Sequence, residues 1–374
     1  MATPVPILVI TGQTATGKER LAVAVAERLG GEILSADSMK VYRGMDIGTA
    51  KAPPDVRRKV PHHLVDVADP GPGSASRQAT ARLPCQGASR RDAEATPGAP
   101  APPAPLGLGP GFSTARWVEL ADAAIADTSA RGRVAIVSGG TALYLKALLE
   151  GLFEGPAADE RVRARLSAEA EANGTGALHA RLAQVDPAAA GRIHPNDLRR
   201  IVRALEVWEL TGSPISALQT QWGNRFRQGE APLRRGEDRR GRYRPLLVAI
   251  RRSPQDLDRR IEARVRRMVE AGLEDEVRRL AERPGGLALG PRQALGYAEV
   301  LEHLAGRMAW EETLEAIRLH TRQFARAQMK WLRRFEGLVW LDAGPDAPAD
   351  PGAPGRTDRV VDLWRAHASA PSAG

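Results

Sequence analysis

Gly12-Gln13-Thr14-Ala15-Thr16-Gly17-Lys18 follows the apolar run Ile7-Leu8-Val9-Ile10 after a single residue, Thr11. The spacing G-x-x-x-x-G-K lets successive backbone N–H groups curl around an anion while the lysine reaches its terminal phosphates, so the chemistry is the handling of a diphosphate or triphosphate. Such a loop needs a strand before it and a helix after it. Leu21, Val25 and Leu29 recur every four residues up to Gly30-Gly31, which supplies the helix and its stop. One letter departs from the pattern. After the lysine a Ser or Thr normally holds Mg²⁺, and here Glu19 stands in its place. A carboxylate in the first turn of a helix gains about 0.3–1 kcal/mol from the dipole. Beside a diphosphate ~4 Å away, it costs about 1 kcal/mol in water-like surroundings and about 4 kcal/mol at an effective dielectric of 20. Repulsion wins unless Mg²⁺ lies between them. Mg²⁺ is therefore the expected cofactor, Glu19 a candidate ligand for it, and a raised Mg²⁺ demand the expected consequence.

Further groups with chemical capacity lie downstream. Asp37 ends the short apolar stretch 32–36, where its carboxylate serves as a general base or metal anchor; the same spacing equally fits a turn or helix-capping aspartate. Thr141, after Gly139-Gly140, reads by itself as the N-cap of a helix over 142–149. Residues 45–51 lack periodicity and read as a surface loop. Arg260 and Arg264, at i and i+4, can present two guanidinium groups to a diphosphate or pair with Glu262 on the surface. His194 reads as structural, because no second His or Cys sits at ligand spacing.

The elements that must position these groups recur with a regular rhythm. Strand-like runs at 7–10, 32–36, 64–67, 134–137, 246–250 and 339–341 alternate with helical stretches, which predicts a doubly wound, mostly parallel α/β sheet. In such sheets ligands bind beyond the carboxyl ends of the strands, where Asp37, Asp66 and the 138–141 turn are expected. Residues 155–221 show helical spacing without a strand and read as an inserted helical subdomain. The expected division is 1–154 as phosphate-loop core, 155–221 as the insertion, 222–344 as the return to the core and 345–374 as a frayed tail. Between 95 and 111, ten of seventeen residues are Pro or Gly, too many to pack a core, so 71–111 is expected to be a disordered insert. A second soft stretch, dense in Arg, spans 223–244.

The net charge of +9 favours an anionic partner, nucleic acid or a phosphorylated substrate. The lone Cys85 excludes a disulfide framework. No stretch approaches ~18 unbroken apolar residues, and no signal-peptide order opens the chain, so a soluble cytoplasmic protein is expected, with no membrane partner.

Four ordered segments carry a resemblance: D-S-M-K-V-Y-R-G-M-D-I-G-T-A-K at 37–51, G-G-T-A-L-Y-L-K-A-L-L-E-G-L at 139–152, R-I-H-P-N-D at 192–197 and T-R-Q-F-A-R-A-Q-M-K-W-L-R at 321–333. Together they resemble the bacterial tRNA dimethylallyltransferases, over 7–342 apart from the Pro/Gly insert. The resemblance implies a P-loop NTPase-like core, dimethylallyl diphosphate and tRNA as substrates, and a monomer. It implies that Gly12, Gln13, Thr14, Ala15, Thr16, Gly17, Lys18 and Glu19 hold the diphosphate, with Arg264 as a further candidate. The resemblance implies further that Asp37 takes a proton from an adenosine amine and that Thr141 orients that amine or touches the diphosphate. It also implies tRNA contacts at Asp37, Ser38, Met39, Lys40, Thr141, Arg163, Arg199, Arg200, Ile201, Val202, Arg203, Arg292, Gln293, Ala294, Leu295, Gly296 and Tyr297. For each arginine singly, a solvated helix face competes. The tract 321–333 reads as an amphipathic helix with Phe324, Gln328 and Trp331 near one face and Arg322, Arg326 and Lys330 on another, and Ala327 stands where a basic residue is expected. The phosphate loop alone leaves a small-molecule kinase open, and Glu19 leaves open an RNA-binding remnant without activity.

Overall fold

The computed structural model describes residues 4–71, 112–152, 155–219, 242–343 and 355–370. The Pro/Gly-rich stretch from 72 onward with Cys85, and the Arg-dense stretch up to 241, lie outside the described residues. Two compact units divide the chain, an α/β unit and a helical unit beginning at Glu150.

The α/β unit opens with β1 (Val5–Gly12), α1 (Lys18–Leu29), β2 (Glu32–Ala36), α2 (Pro54–Lys59), β3 (His62–His63), α3 (Thr114–Ala130), β4 (Ala135–Gly139) and α4 (Ala142–Glu150). The helical unit holds α5 (Glu160–Asn173), α6 (Thr175–Val185), α7 (Pro187–Ala190), α8 (Leu198–Thr211) and α9 (Ile215–Leu218). The chain then returns through β5 (Tyr243–Arg251), α10 (Pro254–Glu270), α11 (Leu273–Ala281), α12 (Leu289–Arg292), α13 (Tyr297–Leu304), α14 (Trp310–Leu332), β6 (Val339–Asp342) and α15 (Arg356–Ser369).

The six strands of the described residues all pair in parallel, in the order β3-β2-β4-β1-β5-β6. Continuous apolar strands such as Ile7–Ile10 suit a sheet covered on both faces. Leu8 and Ile10 of β1 pack with Leu21, Val25 and Ala26 of α1 and with Val360, Val361 and Trp364 of α15. The tail is thus not frayed throughout: α15 completes the core around α1. The strand expected at 64–67 is also displaced. Pairing with β2 is made by His62 and His63 instead, and Leu64 and Asp66 adopt left-handed backbone at φ 64 and 59. Asp66 lies in the turn that follows, where it accepts from Lys51 Nζ at 2.6 Å and Arg57 Nη1 at 2.8 Å.

Because β4 sits between β1 and β2, the loops leaving these three strands share the carboxyl edge of the sheet. The β1–α1 loop, Asp37 and Thr141 therefore come together there. Trp117 of α3 braces this edge, donating its indole N–H to Ser35 O at 3.0 Å and stacking on Tyr144 at 4.4 Å between ring centroids.

In the helical unit Leu166, Leu178, Leu182, Ile201, Leu205 and Ile215 form a common core. Three of its helices, α5, α7 and α8, start on capping aspartates: Asp159 accepts from Val162 N, Asp186 from Ala189 N and Asp197 from Arg200 N.

Candidate active site

The loop after β1 owes its shape to two residues in left-handed backbone, Ala15 (φ 61) and Gly17 (φ 90). Glycine takes that conformation without penalty, and alanine takes it at a cost. Inside the loop, Thr16 Oγ1 donates to Gln13 O at 2.8 Å and Lys18 Nζ to the same carbonyl at 3.2 Å. Among the described residues no side chain caps α1, whose N-cap is Gly17, so its first N–H groups are open to an anion. Two arginines hold the loop from behind. Arg252 Nε donates to Thr16 O at 2.9 Å, and Arg260 Nε to Ala15 O at 2.8 Å. Pulling these carbonyls outward favours the inward N–H arrangement that phosphate needs. Arg252 is itself held by Asp256 at 2.7 Å.

The front of the loop is fastened by α14. Gln328 Oε1 accepts from Thr14 N at 2.7 Å, and its Nε2 donates to Gly140 O at 2.9 Å, tying the phosphate loop to the turn that carries Thr141. Gln13 Nε2 returns the contact to Ala325 O at 2.9 Å. The buried row of α14 runs Thr321, Ala325, Gln328, Leu332. Phe324 and Trp331, read from sequence as sharing the face of Gln328, are instead exposed at 48% and 38%, and Arg334 lies over the Trp331 ring at 5.0 Å. A buried glutamine in a row of small and apolar residues was the signal that could have marked this residue.

Asp37 follows β2. Its Oδ1 accepts from Met39 N at 2.9 Å and Lys40 N at 3.4 Å, so the turn reading is realised. Its Oδ2 takes no hydrogen bond from a described residue, leaving an acceptor for chemistry. Thr141 Oγ1 accepts from Ser38 N at 3.1 Å, and its carbonyl starts α4 through Tyr144 N and Leu145 N.

The electrostatics follow from crowding. Burial pushes the Lys18 ammonium down to about 8, with Lys40 and Arg264 adding to the depression while Asp37 and Glu19 oppose it. Burial likewise lowers Arg264, again countered by Asp37 and Glu19. Arg264 Nη2 reaches Gly48 O at 3.4 Å. Glu262, its expected alternative partner, pairs with Arg318 instead. Glu19 is engaged in an ion pair with Lys40, whose side chain is only 7% exposed. The repulsion foreseen for Glu19 is thus met by an internal cation.

Residues 45–51, read as a surface loop, are anchored. The N–H groups of Asp46, Ile47 and Gly48 converge on the Glu276 carboxylate at 2.9, 2.9 and 3.2 Å, and Tyr297 Oη donates to it at 2.5 Å. Burial, with Glu276 beside it, raises the Tyr297 hydroxyl. Gly48 lies flat on the Tyr297 ring, where any Cβ would collide.

The remaining candidates divide by exposure. Arg292 and Gln293 are exposed, while Ala294 and Tyr297 are buried. Gly296 is the N-cap of α13, its N–H held by Glu299 at 2.7 Å, and Leu295 is half-buried beside it. In the helical unit Arg199 and Arg200 are exposed, whereas Ile201 and Val202 face that unit's core. Arg163 and Arg203 both grip the buried Glu206, at 2.8 and 2.6 Å. Burial works against that carboxylate's charge, but the two guanidinium groups outweigh it and hold its pKa below the usual range. Among the described residues no cluster of three or more His, Cys, Asp or Glu could hold a metal ion, and no helix is long and apolar enough to cross a membrane.

A family model described as IPP transferase matches residues 40–78 and 107–335, its break falling within the Pro/Gly-rich stretch. The tRNA dimethylallyltransferase of Anaeromyxobacter dehalogenans (strain 2CP-C) is 43% identical over 347 residues, covering 93% of this chain and 97% of the relative. That of Geobacter metallireducens is 40% identical over 336 residues, covering 90% and 92%. Among solved structures, the full-length tRNA isopentenylpyrophosphate transferase from Bacillus halodurans is similar at a TM-score of 0.58 and 31% identity, covering 97% of this chain and 95% of that one. A eukaryotic dimethylallyltransferase acting on tRNA shares the fold at a TM-score of 0.70 and 24% identity, covering 99% and 81%. By the family model and by these relatives along nearly their full length, the chain belongs to the IPP transferase family.

Proposed function

We propose that this chain transfers a dimethylallyl group from dimethylallyl diphosphate to the exocyclic N6 amine of the adenosine on the 3′ side of the anticodon in tRNA, acting as a cytoplasmic monomer. The observation that carries the reading is a juxtaposition. A carboxylate with an unengaged oxygen, Asp37, lies within electrostatic reach of Lys18 and Arg264 at the phosphate loop.

The amine is a poor nucleophile because its lone pair is delocalised into the purine, so it needs a base and a strongly polarised electrophile. The N6–C1 bond forms as the C1–O bond breaks, and the electron pair leaves on the diphosphate. Loop N–H groups, Lys18 and Arg264 stabilise that departing charge. Asp37 Oδ2 takes the amine proton. The base must be flipped from its stack to arrive, and the exposed arginines Arg199, Arg200 and Arg292 offer phosphate contacts for the RNA. Mg²⁺ would be expected at the position after Lys18, but the residues there do not fit it: the carboxylate of Glu19 already holds the Lys40 ammonium. The proposed reaction runs on the protein's own cations.

The test is incubation with dimethylallyl diphosphate and unmodified tRNA, followed by mass spectrometry of the nucleosides. Isopentenyladenosine is expected, and Asp37→Ala should abolish it while tRNA affinity stays within a few-fold. A large affinity loss in that variant would make Asp37 a scaffold residue; ATP consumption without RNA product would favour a kinase.

A further inference from the structure

We propose that Lys40, held in place by Glu19, is a diphosphate-binding cation of this chain, standing where other phosphate loops use a hydroxyl-held metal ion. The inference rests on reading the β1–α1 loop as a diphosphate pocket.

Glu19 occupies the position directly after the loop lysine, in the first turn of α1. The Lys40 side chain comes to it from the turn after β2, nearly buried and paired at hydrogen-bonding contact. An ammonium has three donors, and Glu19 is its sole hydrogen-bond acceptor among the described residues. The rest of its valence is open. The approach of Lys40 is fixed by its backbone, since its N–H turns to Asp37 Oδ1 and its carbonyl accepts from Asp66 N at 3.1 Å. Asp37 thus shapes the turn that delivers Lys40.

Charge gives the pair its purpose. Lys18, Lys40 and Arg264 crowd together with Asp37 and Glu19, so three cations face two carboxylates, a local excess that suits an anion. The Glu19 carboxylate, in direct contact with the ammonium, holds the Lys40 side chain at this place. A divalent ion at Glu19 would have to displace that ammonium and sit among the three cations. Glu19 is therefore a positioning residue for Lys40 and not a metal ligand.

Titration calorimetry of the full-length protein with inorganic pyrophosphate, in EDTA and in excess Mg²⁺, tests this directly. The unaltered protein should bind in EDTA within about threefold of its affinity in Mg²⁺. Lys40→Met should lose about tenfold or more in EDTA, which corresponds to about 1.4 kcal/mol, and Lys40→Arg should retain most of the affinity. Glu19→Thr frees Lys40 and restores the hydroxyl, so its binding should fall about tenfold in EDTA and recover in Mg²⁺. That acquired metal dependence is a response a merely structural role would not produce, and it decides the matter should Lys40→Met fail to fold by circular dichroism. Unchanged binding of Lys40→Met in EDTA, or equal Mg²⁺ dependence before and after Glu19→Thr, would overturn the assignment. Failure of the activity reading is separable: no prenylated adenosine, with the pyrophosphate pattern intact, would leave the cation assignment standing.

Discussion

Two loops of the α/β unit turn consecutive backbone N–H groups toward an anion, and they differ in where the anion comes from. At 46–48 the chain supplies it, since Glu276 fills the cradle and Tyr297 completes the shell. In the β1–α1 loop the described residues supply only neutral acceptors, Gln328 to the Thr14 N–H and, at 3.4 Å within the loop, the Gln13 carbonyl to that of Thr16. Arginines instead draw the loop's carbonyls away, and cations collect around it. The same backbone device is structural when its anion belongs to the chain and a binding site when it does not. Glycine and charge patterns alone do not separate the two cases; the identity of the acceptor does.

The largest consequence should fall on the filled cradle. Glu276→Ala orphans three backbone donors and a buried hydroxyl, each costing about 1–3 kcal/mol when unsatisfied. Urea unfolding should show a loss of about 3 kcal/mol or more. Because Gly48 O also receives Arg264, pyrophosphate affinity should fall a few-fold as a secondary effect. A loss below about 0.5 kcal/mol, the range of ordinary surface substitutions, would break the comparison.

Lys18→Met should do the reverse. It removes an ammonium that burial disfavours, so unfolding stability should hold or rise, while pyrophosphate affinity drops about 30- to 100-fold for a lost charged hydrogen bond. The same group sets a pH dependence. In the free site Lys18 titrates at about 8, and the bound anion favours its charged form. Below pH 8 the affinity contributed by Lys18 is fully present; above it, that contribution falls about tenfold per pH unit. Calorimetry of the unaltered protein against Lys18→Met across pH 7 to 10 isolates the effect, because ionisation of pyrophosphate itself cancels in the ratio. A ratio independent of pH would assign the depressed lysine elsewhere.

Much of the frame was legible from periodicity. The motif at Gly12–Lys18 and the repeat Leu21, Val25, Leu29 led to β1 and α1, and Asp37 and Thr141 were placed by the strands that precede them. What stayed hidden depends on distance along the chain. Glu276 and Tyr297 meet residues 46–48 across more than two hundred positions, and no local pattern announces that. The pairing of Lys40 with Glu19 stayed hidden as well, because it appears only when β2 is set beside β1 through β4. The two-residue β3 escaped for a physical reason: His62 and His63 carry no apolar signature, while the apolar Leu64 that does is bent into left-handed backbone.

The finest distinction between the two loops lies at Gln328, where the phosphate loop most resembles the filled cradle. Its amide satisfies the Thr14 N–H and reaches across to Gly140 O, so it fastens two turns with neutral hydrogen bonds. Gln328→Leu keeps bulk and removes both bonds. The expected loss is about 1–2 kcal/mol of unfolding stability, well under that of Glu276→Ala, because the freed Thr14 N–H lies in a loop built to accept an outside anion. Pyrophosphate affinity should change by threefold or less, since the diphosphate itself can take over that donor, whereas KM for tRNA should rise as the turn carrying Thr141 loosens. If affinity for pyrophosphate instead fell as far as in Lys18→Met, the loop would depend on an internal acceptor after all, and the line drawn between the two cradles would be lost.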